Sequence, residues 1–228
     1  MLISNIYNHS SAISTHGRHN AKVSIMNKLL KIVVISLLLS FNANADDISD
    51  FQIEGISIGD SLLKFVSKKD IKKSISKKQG YKDKSFVRGL ICDTKNPQSF
   101  CKVKMDLNTY DAINFHFKKK DSQYVLFNLG GILDFDNKID DCKIERSKTV
   151  KELTEVFPTA EQNETKKPHP QDKSNKSMIY TSYFYLNDGS ASRVQCYDWS
   201  KKTGWTDHLK ITLDHPEYIE WAKNKAWK

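Results

Sequence analysis

The sequence predicts an α+β fold built mainly on antiparallel sheet, with a short N-terminal helix pair, a central helix and a C-terminal helix. Two observations predict it. Segments of strand-like pattern follow one another through short turn signals, which pairs neighbours antiparallel. The helical patterns stand before, between and after those runs rather than one per strand, which excludes a doubly wound parallel sheet. With 39% hydrophobic and 11% aromatic residues in 228, the chain is too apolar for a disordered protein and too polar for a multi-span membrane protein.

The first feature from the N-terminus is an address. Met26-Asn27-Lys28-Leu29-Leu30-Lys31 is a basic start, 32–39 is an apolar run, and Ala43-Asn44-Ala45 is a small-x-small site before Asp46. This is the three-part pattern of a secretory signal peptide over 26–45. The apolar run is about half the ~20 residues a membrane span needs. Residues 1–25 precede the basic start, so translation is expected to begin at Met26. The expected product is a periplasmic or secreted chain over 46–228 with no transmembrane span after cleavage. Residues 1–45 carry Arg18, Lys22, Lys28 and Lys31 and no acid, so their removal lowers the formal charge from +9 by four to +5. That balance suits weak contact with an anionic envelope surface, or an acidic ligand, and gives no reason to expect nucleic acid.

All four cysteines, Cys92, Cys101, Cys142 and Cys196, follow the leader. An even number in an exported chain implies disulfides. Of three pairings, Cys92–Cys101 and Cys142–Cys196 are favoured. The first would close a short hairpin around Lys95-Asn96-Pro97-Gln98, and the second would tie a helix start to a distant strand. Chain entropy gives about 3 kcal/mol for the shorter loop and about 4 for the longer. No CxxC spacing supports the rival zinc reading.

In the mature part, 60–66 reads as a short helix. Ser67-Lys68-Lys69-Asp70 is a capping box that opens a second, running to about Lys78 before Gly80. Strands are expected over 86–92 and 100–107, on either side of a turn at Pro97. In 112–118, Ile113, Phe115 and Phe117 take one face, Asn114 and His116 the other. In the apolar stretch 124–135, Gly130-Gly131 is either a bulge in one bent strand or a hairpin turn, the bulge being preferred. Residues 140–157 form the clearest helix, with Ile144, Val150, Leu153, Val156 and Phe157 on its apolar face and Pro158 beyond its end. Residues 159–177 are polar, hold Pro168 and Pro170, and read as a flexible loop. Strands 178–186, 192–199 and 208–213 follow, with a turn at Asn187-Asp188-Gly189, and Pro216 opens a last helix. The order helix–strands, helix–strands divides the single domain into halves over 46–137 and 138–228.

Several segments carry candidate chemistry. Gly59-Asp60-Ser61-Leu62 spells the nucleophile block of the GDSL esterases, in which the serine attacks an ester. The remaining blocks are missing: Asn187-Asp188 lacks the glycine ahead of it, and Asp214 is adjacent to His215 rather than three residues before it. A turn and helix cap explains the same four letters. The run 134–141 resembles a calcium loop, but Lys138 and Ile139 stand where a ligand and a glycine are needed. His116, His169, His208 and His215 show no metal-ligand spacing, so no metal and no cofactor is expected. Lys68, Lys69, Lys72 and Lys73 make a basic surface on the second helix, where like charges repel unless an anion relieves them. Its apolar side is only Ile71 and Ile75, too little for membrane embedding. The lysines of 166–176 lack the glycine-rich turn of an anion nest.

The most distinctive segment is 197–208. All four tryptophans lie in the last thirty residues, and two of them flank this polar run. Tyr197, Asp198, Trp199, Lys201, Lys202, Trp205 and His208 combine aromatic area with hydrogen-bonding groups, the mixture that holds a glycan, peptide or aromatic ligand.

The run 51–63, the Cys142 helix and Cys196-Tyr197-Asp198-Trp199-Ser200-Lys201-Lys202 resemble a group of uncharacterised small exported proteins of marine alphaproteobacteria. The resemblance covers most of the mature chain and implies export; it implies no activity, cofactor or site. The expected function is therefore a non-enzymatic periplasmic binding or envelope-accessory protein acting on a small ligand or an envelope partner. The alternatives are an envelope hydrolase using Ser61 and a purely structural envelope protein.

Overall fold

The computed structural model describes residues 47–77, 79–96 and 101–228. The expected leader, 1–45, lies outside them. Eight strands form one sheet: β1 (Phe86–Asp93), β2 (Lys104–Met105), β3 (Ala112–Lys118), β4 (Leu126–Asp134), β5 (Glu161–Pro168), β6 (Met178–Tyr185), β7 (Ala191–Asp198) and β8 (His208–Asp214). Among the described residues, three α-helices accompany them: α1 (Lys68–Ser74), α2 (Ile139–Val156) and α3 (Pro216–Asn224). The fold class is α+β, as the sequence predicts. The strand order is β2-β1-β3-β4-β8-β7-β6-β5. Every pairing is antiparallel except β1–β2. Each half runs helix then strands, the second as a meander, and the last strands of the two, β4 and β8, pair at the centre.

Alternation gives this sheet two faces of opposite character. On the first, Ile91, Ile113, Phe115, Phe117, Leu129, Leu213 and Val194 are buried. The α2 helix packs on this face, where the Cys142–Cys196 disulfide ties it to β7. The second disulfide, Cys92–Cys101, links β1 to the segment entering β2. The second face presents Arg88, Asn114, His116, Asn128, Lys210, Thr212, Asp214, Arg193, Gln195 and Tyr197. One end of it is covered by α3, where Trp221 meets the rings of Tyr81 and Phe86, each at a centroid distance of 5.0 Å.

Local chemistry explains most boundaries. Ser67 caps α1 by accepting from the Asp70 amide, and its hydroxyl donates to the Asp70 carboxylate at 2.7 Å. The helix stops at Ser74 rather than near 78, because Ile75 bridges to Gly89 and the Ser76 amide donates to the Arg88 carbonyl. The expected helix over 60–66 is a 3-10 turn over Leu62–Lys64. Pro216 occupies the first turn of α3, and the His215 ring accepts from the Glu217 amide.

Other expectations are corrected. Residues 86–92 and 100–107 are not an antiparallel hairpin. The chain turns at Asn96, whose amide donates to the Asp93 carbonyl, and returns with Cys92 opposite Lys104 in a parallel pair of two residues. Gly130-Gly131 is neither a bulge nor a turn, since both residues pair regularly with β3 and β8. The reason for glycine is space: a Cβ on Gly130 would meet Asn114 Oδ1 at 2.5 Å, and one on Gly131 the Tyr110 ring at 2.5 Å. The irregularity lies instead between His116 and Phe117, where Phe127 is the extra residue. The α2 helix buries Cys142, Glu145, Thr149 and Leu153, while Ile144 is 57% exposed. The disulfide fixes this face, and it outweighs one isoleucine.

The expected flexible loop, 159–177, holds β5 and an ordered turn. All of β5 is exposed except half-buried Thr165; its main-chain pairing with β6 and polar contacts, such as those of Glu164 with Arg146 and Ser182, hold it. An edge strand of this kind shows no apolar period. Beyond it the Asp172 carboxylate accepts from the amides and hydroxyls of both Ser174 and Ser177.

Candidate functional site

The aromatic residues of 197–208 do gather. Tyr197 lies one residue before the end of β7 and His208 begins β8, opposite each other in register, so their rings stack at 4.5 Å with 16° between planes. Trp199 lies 6.2 Å from Tyr197 and 6.1 Å from Trp205. A fifth ring, His169, joins from the turn after β5 and sits 4.2 Å from Trp199. No spacing in the sequence links His169 to this group; the link is made by β5, which the polar composition of 159–177 conceals.

Polar contacts fix the cluster. Asp207, buried under it, accepts from the Trp199 amide at 2.7 Å, and the Ser200 amide donates to the Ser177 hydroxyl. Burial raises the Asp207 carboxyl above its ordinary range. Burial lowers His208 to about 4 and also lowers His169, so both rings are neutral at pH 7. Trp205 is 53% exposed, whereas the Trp199 indole N–H is buried and has no hydrogen-bond partner among the described residues. Lys201 and Lys202 lie exposed on the turn Lys201–Thr203. Asp198, half-buried, alternates to the opposite side of β7 from Tyr197.

The cluster is one end of a longer polar tract on the second face. Along β8, Lys210, Thr212 and Asp214 follow His208 on the same side. Arg193 holds Asp214 through two bonds, Nε at 2.7 Å and Nη2 at 3.1 Å. Burial opposes the guanidinium charge, but the Asp214 carboxylate outweighs it and keeps Arg193 protonated. Asn128 Nδ2 donates to Asp214 at 2.6 Å, and Asn128 Oδ1 accepts from His116 Nδ1 at 2.7 Å. His116 Nε2 then accepts from the Tyr81 hydroxyl at 3.0 Å. Burial lowers His116 to about 3, which keeps this tautomer neutral. Sequence alternation puts Asn114 and His116 on the polar face; their near-complete burial there depends on side chains from β1, β8 and α3.

The other predicted groups lie elsewhere. Ser61 caps the 3-10 turn, accepting from the Leu63 amide while its hydroxyl donates to the Gln123 carbonyl. Asp60 accepts from the Ser57 amide and pairs with Lys64 at 2.7 Å. Lys68, Lys69, Lys72 and Lys73 are all exposed on α1, which buries Ile71 and Ser74. Among the described residues, no three His, Cys, Asp or Glu side chains gather as a metal ion would require. No helix of the described residues is long and apolar enough to cross a membrane. Comparison with known proteins finds no matching family model, curated protein or solved structure.

Proposed function

We propose that this chain is an exported, periplasmic, non-enzymatic binding protein that engages its ligand or envelope partner on the second face of the sheet, at the aromatic end. The observation that carries the reading is the Tyr197–Trp199–Trp205–His208 cluster. It joins an indole left 53% exposed to a buried indole N–H with no partner among the described residues. Exposed aromatic area beside an unused donor is the composition of a recognition surface. Two disulfides accord with an oxidising compartment, as do the leader-like segment over 26–45 and the resemblance to exported proteins. Ser61, with its hydroxyl engaged in a cap, does not favour the hydrolase alternative.

Cross-linking and co-purification from cells, with wild type and the Trp199→Ala/Trp205→Ala variant, tests the reading. The variant is expected to lose specific partners. An identical profile from both chains would remove the cluster as the binding surface. A Ser61→Ala variant assayed on a generic ester separates the enzyme reading, which requires activity in wild type that the variant loses.

A further inference from the structure

Beyond the aromatic end, the second face carries more positive charge than its own acids can neutralise. Lys210 points along β8 toward Gly130: a Cβ on that glycine would meet Lys210 Cε at 2.9 Å and Asn114 Oδ1 at 2.5 Å. The lysine side chain and Asn114 therefore lie together over the centre of the sheet, in space that only glycine leaves. Arg193 faces the same centre from β7, opposite Thr212, and Arg88 approaches from β1, opposite His116. Both arginines bear electrostatically on Lys210. Asp214 is the nearby carboxylate, and Arg193 and Asn128 already occupy it. Lys210 Nζ has no hydrogen-bond or ion-pair partner among the described residues. Asn114 Oδ1 and Thr212 Oγ1 are buried and equally unpartnered.

We infer that the second face binds a small organic anion, its acidic group held by Lys210, Arg193 and Arg88 and its planar ring placed against the Tyr197–His208 stack. The spacing sets the size of the ligand. Lys210 and His208 are two residues apart on one strand and one face, about 7 Å along it. Gln195, opposite Lys210, and Tyr197, opposite His208, continue the same two steps on β7. A bound anion relieves the repulsion among the three cations, and the Thr212 hydroxyl supplies a donor to it. Asn114 Oδ1 accepts from the ammonium or from a ligand hydroxyl. Burial lowers Lys210 to about 7, the direction expected of a cation awaiting its counter-charge. Besides Arg193, Arg88 and Asp214, the ionisable groups of this face include a second carboxylate, Asp134, opposite His208, together with His116, His208, Tyr81, Tyr183, Tyr197 and Tyr218. Burial pushes Tyr197 and Tyr218 up and His116 and His208 down, so these four are neutral and supply no anion.

This inference rests on the binding reading above and names the ligand class for the same face. Calorimetric titration of the full disulfide-bonded chain at low salt tests it with three probes: indole-3-propionate, indole-3-propionamide and inorganic phosphate. The propionate is expected to bind at least tenfold more tightly than the amide or phosphate. Lys210→Met should reduce the propionate to the level of the amide, and Lys210→Arg should restore most of the difference. Equal binding of propionate and amide, no binding of any probe, phosphate matching propionate, or Lys210→Met retaining the difference would each overturn it. If the Trp199/Trp205 variant keeps its partner profile while Lys210→Met abolishes the propionate preference, the proposed function fails and the anion site stands. The opposite pair of results refutes the anion site alone.

Discussion

Replacing Lys210 with methionine will raise stability at neutral pH. Methionine keeps an apolar stem over Gly130 and deletes the charge. Burial lowers the folded-state lysine from 10.5 to about 7. Between those values the unfolded chain holds a proton that the folded chain gives up, so wild-type stability increases with pH through this window. At ~1.36 kcal/mol per unit, the shift corresponds to about 4 kcal/mol of destabilisation at pH 7. Lys210 is only half-buried, and solvent screening brings the working figure to about 2 kcal/mol. Part of that should return by pH 9, below the range where tyrosines titrate, and the rest as pH rises toward the unfolded value of 10.5. Urea denaturation of both chains at several pH values measures this directly. The wild-type midpoint should climb from pH 7 to 9, and the Lys210→Met midpoint should start higher and stay flat. A flat wild-type profile, or a variant no more stable than wild type, would refute the reasoning, because it would mean that the ammonium is fully hydrated in the folded state.

Further outcomes follow from the same geometry. Gly130→Ala forces a methyl against Asn114 and Lys210 and should cost about 1–3 kcal/mol, read as a lowered thermal midpoint. His116, at about 3 in the folded state, contributes stability that is complete above its unfolded value of 6.5 and is lost as pH falls toward 3. Acid unfolding of His116→Gln should therefore show a shallower pH slope than wild type, whatever its absolute stability. Removing the longer disulfide as Cys142→Ser/Cys196→Ser should cost about 3–4 kcal/mol in urea and release α2 from β7.

How much of this was legible in sequence depended on whether packing left a periodic trace. The strand over 112–118 was readable because Ile113, Phe115 and Phe117 alternate, and α3 because Pro216 opens it. The α2 face was readable toward its end, where Leu153 and Phe157 are buried, but not toward its start, because its buried stripe there includes Glu145 and Thr149 while Ile144 faces solvent. The β5 strand left no trace, since an edge held by main-chain bonds needs no apolar side chains. At the site, the clustered tryptophans flagged 197–208. Alternation put Asn114 on the polar face, but its meeting with Lys210 and Arg193 escaped notice because it depends on the register of β3, β4, β7 and β8 and on a glycine whose role is to leave room.

Chemical-shift mapping of the isotope-labelled protein during titration with indole-3-propionate addresses the central claim most directly. Shifts centred on Asn114, Arg193, Tyr197, His208 and Lys210, with the α1 lysines and Ser61 unmoved, are the predicted result. Shifts centred on α1 or around Ser61, or a spectrum that does not change, would contradict it.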